Sequence, residues 1–273
     1  MIRNMKLEVQ LSNYAFFCWQ DVGNLRKIDL SFSPYLTELP DLSMAKNLQC
    51  LHLEQTSIKE VPQSVNRKLK LLYLSGCSKI TKFPGNLEYI EELYLRGTAI
   101  EEVPSSIQFL TRLRDLDMSG CSKLESFPEI TVPVKSLQNL NLTKTGIKEI
   151  PSSFKHMISL RSLGLDGTPI GELPLSIKDM VSLTKLTLHG TPIKALPELP
   201  PLLVNLTTHD CASLETVASI INSGRLWHGL DFTNCFKLDQ KQLVAAMHLK
   251  IQVSLLTPSF FLLSLLHHHI FEM

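Results

Sequence analysis

Several groups of residues in this chain could do chemistry, and each would need a different arrangement in space. Asp115 and Asp117 are two residues apart, as are Glu92 and Tyr94. On an extended strand that spacing puts both side chains on one face. A facing carboxylate pair is the equipment of glycoside hydrolysis, but that reaction also needs a pocket that keeps one carboxyl protonated. His267, His268 and His269 form a consecutive tract, and the chain has six cysteines. Adjacent histidines cannot all converge on one ion without further ligands, and the cysteines contain no C-x-x-C pair. No metal site and no cofactor is therefore expected. His52, Tyr73, Tyr94 and Arg96 have a different character. Tyrosine and arginine are the side chains that anchor protein interfaces. Asn141-Leu142-Thr143 and Asn205-Leu206-Thr207 match the N-glycosylation acceptor.

The elements that must position these residues come from a repeated phrase, L-x-x-L-x-L. It occurs as Leu25/Ile28/Leu30, Leu48/Leu51/Leu53, Leu69/Leu72/Leu74, Ile90/Leu93/Leu95 and Leu113/Leu116/Met118. Leu137/Leu140/Leu142, Leu160/Leu163/Leu165 and Leu183/Leu186/Leu188 follow, with a degraded ninth copy at Leu203/Leu206. Successive starts are 23, 21, 21, 23, 24, 23, 23 and 20 residues apart, within the range of leucine-rich repeats. Eight residues after each start stands a small residue that can bond the backbone at the turn: Ser33, Thr56, Cys77, Thr98, Cys121, Thr145, Thr168, Thr191, Cys211. An apolar–proline pair such as Val103-Pro104 or Ile150-Pro151 then closes the repeat, and Ser105 to Leu110 predicts one short helical turn. One coil cannot bury its leucines alone, so the coils must stack. The expected architecture is an α/β leucine-rich-repeat solenoid, a horseshoe with a parallel concave sheet of nine strands and short helical or 3-10 segments on its convex side.

Within each strand the fourth and sixth phrase positions point inward and the residues between them face out. That alternation gives three exposed columns. The central one runs Asp29, His52, Tyr73, Tyr94, Asp117, Asn141, Gly164, Thr187. Its neighbours contribute Asp115 and Lys185 on one side, and Arg96, Asp166 and His189 on the other. His52, Tyr73, Tyr94, Arg96, Asp115, Asp117, Asp166, Lys185 and His189 are thus the candidate partner-binding residues, with Tyr73, Tyr94 and Arg96 foremost. An open solenoid face offers no pocket to shift a carboxyl pKa, so a non-catalytic role is expected.

Bulk properties agree. The formal net charge is +1 with 19% charged and 7% aromatic residues, so neither a basic stripe nor a stacking platform for nucleic acid is available. Cys77 and Cys121 stand two coils apart, roughly 10 Å at the inter-strand spacing, too far for a bridge. Free thiols predict a reducing, cytoplasmic setting. Val253 to Leu266 is apolar but holds Pro258 and is too short to span a bilayer. The expected divisions are an atypical lead segment at 1–20, the array at 21–217, an incomplete post-repeat segment at 218–252 and an apolar tail at 253–273.

Leu74-Ser75-Gly76-Cys77-Ser78-Lys79-Ile80 together with Leu95-Arg96-Gly97-Thr98-Ala99-Ile100-Glu101-Glu102-Val103-Pro104 resembles the repeats of plant intracellular immune receptors of the TIR–nucleotide-binding–leucine-rich-repeat type. Leu230-Asp231-Phe232-Thr233-Asn234-Cys235-Phe236-Lys237-Leu238 looks like the opening of that family's post-repeat domain. The resemblance runs from about Gln20 to Gln252. It implies a recognition region whose partner is a protein: a pathogen effector, a host protein under guard, or the receptor's own nucleotide-binding domain. No G-x-x-x-x-G-K-[ST] loop occurs in the sequence. Together with the departure from the family after Gln252, that leads to the expectation of a truncated or alternatively spliced product. Two rival readings are an ectodomain fragment of an extracellular leucine-rich-repeat receptor and a general signalling scaffold. Extracellular plant receptors resemble one another in a glycine–x–Ile–Pro phrase and paired capping cysteines, which this chain does not have.

Overall fold

A computed structural model of the chain describes residues 4–6, 23–39, 41–62, 65, 68–85, 87–217 and 227–239. The His267 to His269 tract and the apolar tail lie outside these residues. Among the described residues, eleven three-residue strands form one parallel sheet in strict sequence order. They are β1 (Asn4–Lys6), β2 (Lys27–Asp29), β3 (Cys50–His52), β4 (Leu71–Tyr73), β5 (Glu92–Tyr94) and β6 (Asp115–Asp117), then β7 (Asn139–Asn141), β8 (Ser162–Gly164), β9 (Lys185–Thr187), β10 (Asn205–Thr207) and β11 (Gly229–Asp231). From β2 to β9 each strand occupies the expected place in its phrase, and register pairs like with like: Leu51 with Leu72, His52 with Tyr73, Tyr73 with Tyr94. The fold is the expected leucine-rich-repeat solenoid.

Two of the described strands lie beyond residues 21–217, making eleven among the described residues where nine were expected. β11 follows the phrase Trp227/Leu230/Phe232. β1 pairs in register with β2 and sits in a phrase, Ile2/Met5/Leu7, that begins 23 residues before Leu25. Isoleucine and methionine there obscure the leucine pattern.

The interior is a stack of aliphatic rungs. Leu51, Leu72 and Leu93 from the strand centres are fully buried, as are Leu53, Leu74 and Leu95 two residues later. Removing apolar surface from water at ~25 cal/mol per Å² is what holds such coils together. Behind the sheet, 3-10 turns at Ser105–Phe109, Ser152–His156 and Leu175–Asp179 each follow a proline, Pro104, Pro151 and Pro174. Proline presets φ for the entry and has no N–H to leave unpaired. Each turn drops one large residue into the core: Ile107, Phe154, Ile177. The Phe154 ring meets Phe127 edge-on at 5.2 Å.

Where the chain leaves the strand, a left-handed residue recurs seven positions after each phrase start from Leu25 to Trp227. Five are glycines, Gly76, Gly97, Gly120, Gly167 and Gly190, and five are Phe32, Gln55, Lys144, Asp210 and Asn234. The conformation costs a residue with a Cβ roughly 1–2 kcal/mol. What fixes it is an N–H bond to the next coil: Gly76 to the Arg96 carbonyl at 2.7 Å, Lys144 to Asp166 at 2.6 Å, Asp210 to Thr233 at 2.8 Å.

The small residue after it works in two ways. Threonine hydroxyls bond the carbonyl three residues back in their own coil: Thr56 to Leu53, Thr145 to Leu142, Thr168 to Leu165 and Thr191 to Leu188, all at 2.7–2.8 Å. Cysteine thiols instead donate to the preceding coil: Cys77 to Leu53, Cys121 to Leu95 and Cys211 to Leu188. Cys235 does the same to Thr208. Threonine closes a coil, while cysteine stitches two together. Burial pushes the Cys77 and Cys121 thiols up, keeping them protonated as these bonds require.

Candidate functional site

The outward residues of the strands form a continuous face, and its first half carries an aromatic stack. In-register parallel strands lie ~4.8 Å apart, so identical side-chain directions bring rings face to face. His52 stacks on Tyr73 at 4.3 Å with 4° between planes, and Tyr73 stacks on Tyr94 at 4.8 Å and 9°. Both phenols donate to Glu92, Tyr94 at 3.2 Å and Tyr73 at 3.5 Å. Partial burial, then the Glu92 charge, drives the Tyr94 phenol up to about 12, and Tyr73 shifts the same way. Both therefore remain hydrogen-bond donors at neutral pH. His52 reaches Glu54 at 3.5 Å, and Arg96 is exposed two residues beyond Tyr94. The sheet thus brings His52, Tyr73, Tyr94 and Arg96 into one patch, as the column reading expects.

The aspartates are more occupied than the sequence suggests. Asp117 accepts the Ser119 N–H at 2.9 Å, as Asp29, Asn141 and Asp231 do for the residues two further on. In these coils Asp or Asn in the central column satisfies the backbone where the strand ends. Asp115 is held by the amide of Asn139. Asp166 accepts the His189 N–H at 2.8 Å. These carboxylates lie along an open strip, Asp115 and Asp166 engaged with the following coil and Asp117 with its own backbone. An apolar dimple between Ile107, Phe127, Ile130 and Met157 lies on the other side and is lined without a titratable group.

Comparison with known proteins gives this face its context. No protein-family model matches the chain. The chain is 36% identical over 252 residues to disease resistance protein RPS4B of Arabidopsis thaliana, covering 81% of this chain and 21% of that protein. Disease resistance protein RML1B of the same plant is 33% identical over 84% of this chain and 22% of its own length. The chain is a leucine-rich-repeat homologue of plant disease-resistance proteins. It spans about a fifth of the length of these relatives. Among solved structures, the leucine-rich repeat domain of the type III effector XopL superposes with a TM-score of 0.59 at 22% identity, over 81% of this chain and 73% of that one. The mouse RP105/MD-1 complex gives 0.58 at 18%, over 81% and 41%. Both likenesses concern the fold alone.

In this resistance-protein homologue the second half of the face is built differently. Asn139, Asn141, Ser162, Thr187, Asn205 and Thr207 carry short side chains and Gly164 none, and a Cβ on Gly164 would meet the side-chain Oδ1 of Asn141 at 2.9 Å. Lys185 is exposed at its edge. His189 does not stand alone: its ring stacks on His209 at 3.6 Å, and both approach Asp210, at 3.4 and 3.2 Å. The column reading stops at the eighth copy and so leaves out His209. Extending the column through Leu203/Leu206 places it directly after His189. No helix among the described residues is long and apolar enough to cross a membrane.

Proposed function

We propose that the sheet face is the protein-docking surface of an intracellular plant immune receptor, and that it binds rather than catalyses. It would serve by sensing a pathogen effector, directly or through a guarded host protein, or by holding the receptor's nucleotide-binding switch closed. The observation that carries this reading is the His52–Tyr73–Tyr94 stack with Glu92 and Arg96 around it, on the exposed face of a resistance-protein homologue. Three pre-stacked rings offer a rigid apolar platform whose ordering cost is already met by folding, and flanking charges give it specificity. Asp115, Asp117, Asp166, Lys185 and His189 complete the footprint.

A cytoplasmic setting accords with the five free cysteines among the described residues. It also accords with Asn141, whose side chain is turned to the Thr143 N–H rather than free to carry a glycan. The test is binding of the chain to a receptor's nucleotide-binding domain and to candidate effectors, against Tyr73→Ala/Tyr94→Ala. We expect the double variant to keep its circular dichroism spectrum and to lose binding by ~30-fold or more, the scale of a hot spot. Undiminished binding would remove the stack from the interface.

A further inference from the structure

We propose that His189, His209 and Asp210 form a zinc-binding site on the far end of the sheet face. Their ligand atoms all lie within 4.8 Å of one another. The Nδ1 atoms of both histidines address the same oxygen, Asp210 Oδ2, at 3.4 and 3.2 Å. In a tetrahedral zinc site with bonds of roughly 2.0–2.2 Å, adjacent ligand atoms stand about 3.4 Å apart. The two nitrogen–oxygen distances are therefore already those of such a tetrahedron's edges. Two imidazoles and a carboxylate also make a donor set suited to zinc among the divalent ions.

The solenoid explains why the three converge. His189 and His209 occupy the same column in adjacent coils, which stacks their rings at 3.6 Å with 23° between planes. Asp210 follows His209 at the left-handed turn, φ 58°, where most coils have glycine or a longer side chain. Its second oxygen is fixed by the Asn234 amide at 2.6 Å, from the matching turn of the next coil. That is the outer-sphere bond that orients a ligating carboxylate. Side-chain exposures of 40%, 35% and 43% leave the outer side open to water or to a group from a partner. His189 Nδ1 lies 3.0 Å from the His209 carbonyl. Binding would move its proton to Nε2 and splay the two rings apart at the edges away from Nδ1, so that both in-plane lone pairs converge on the ion.

The experiment uses the full chain carrying His267→Ala, His268→Ala and His269→Ala, so that the consecutive tract contributes no ligands. Zinc titrated calorimetrically should bind with one equivalent, and cobalt should give the visible absorption of a tetrahedral ion. His209→Ala should weaken binding by at least ~10–100-fold, and Asn234→Ala by ~10-fold through the outer sphere. Asp210→Asn keeps the side-chain shape and a residue at ease in the left-handed turn, and should weaken zinc as His209→Ala does. Failure of the background protein to take up an equivalent of zinc overturns the site. So does uptake that His209→Ala and Asp210→Asn leave unchanged in folded protein.

Discussion

The two halves of the sheet face are made by the same coils yet present opposite surfaces. From β3 to β6 the outward residues are mostly rings and carboxylates, with Cys50 and Leu71 beside them, and the rings stack on one another and bond to Glu92. From β7 to β10 they are amides, hydroxyls, one glycine and the exposed Lys185, and most are short until the two histidines at the end. Backbone, register and interior hardly change between them. What differs is a few side chains that the core does not constrain. The lesson is that the interior of a solenoid fixes where a residue stands and leaves open what it is, so recognition can be concentrated in one stretch at no cost to folding.

If the halves share one interior, damage to it should be equal in both. Leu93→Ala in β5 and Leu163→Ala in β8 each remove a fully buried side chain, and each should cost about 2–5 kcal/mol. Urea unfolding of the pair measures this. A large loss in one half only would break the comparison at its base.

The turn column sharpens it. Gly97, at φ 66° with open space around a would-be Cβ, serves the aromatic half, and Lys144, at φ 55°, serves the polar half. Gly97→Ala should destabilise by ~1–2 kcal/mol and Lys144→Gly should stabilise by up to ~1 kcal/mol. Opposite signs in thermal melts are the expected result, and equal signs would show that the turns are not equivalent.

The smallest effect is electrostatic and belongs to the aromatic half alone. The folded phenol of Tyr94, raised from 10.0 to about 12, holds its proton where the unfolded one has lost it. Its contribution to stability is therefore complete below pH 10 and declines as pH rises toward about 12. Absorbance titration should place this phenol last to ionise, and Glu92→Gln should bring its midpoint down. A Tyr94 phenol that titrates with exposed tyrosines would mean that the stack is open in solution.

Much of this was legible from residues alone. Leucine periodicity is dictated by burial, so strand positions, columns and the His52–Tyr73–Tyr94 stack follow from spacing. Ile2/Met5/Leu7 and Trp227/Leu230/Phe232 were harder, because unlike apolar residues fill the same place. Asp117 illustrates a different limit. On a strand it reads as a free surface charge, whereas in the fold its carboxylate terminates the strand by taking the Ser119 N–H. His209 and Asp210 could have been placed by carrying the columns one coil further. Their convergence depends on a left-handed turn that composition does not announce.

Because every described strand is bonded only to those before and after it in sequence, a whole coil is an exchangeable part. Excising one unit of the gene would set its former neighbours edge to edge with matching rungs, and would slide one half of the face toward the other by ~4.8 Å. Unequal recombination could in this way redraw the distance between the tyrosines and the histidine pair without inventing a single new residue.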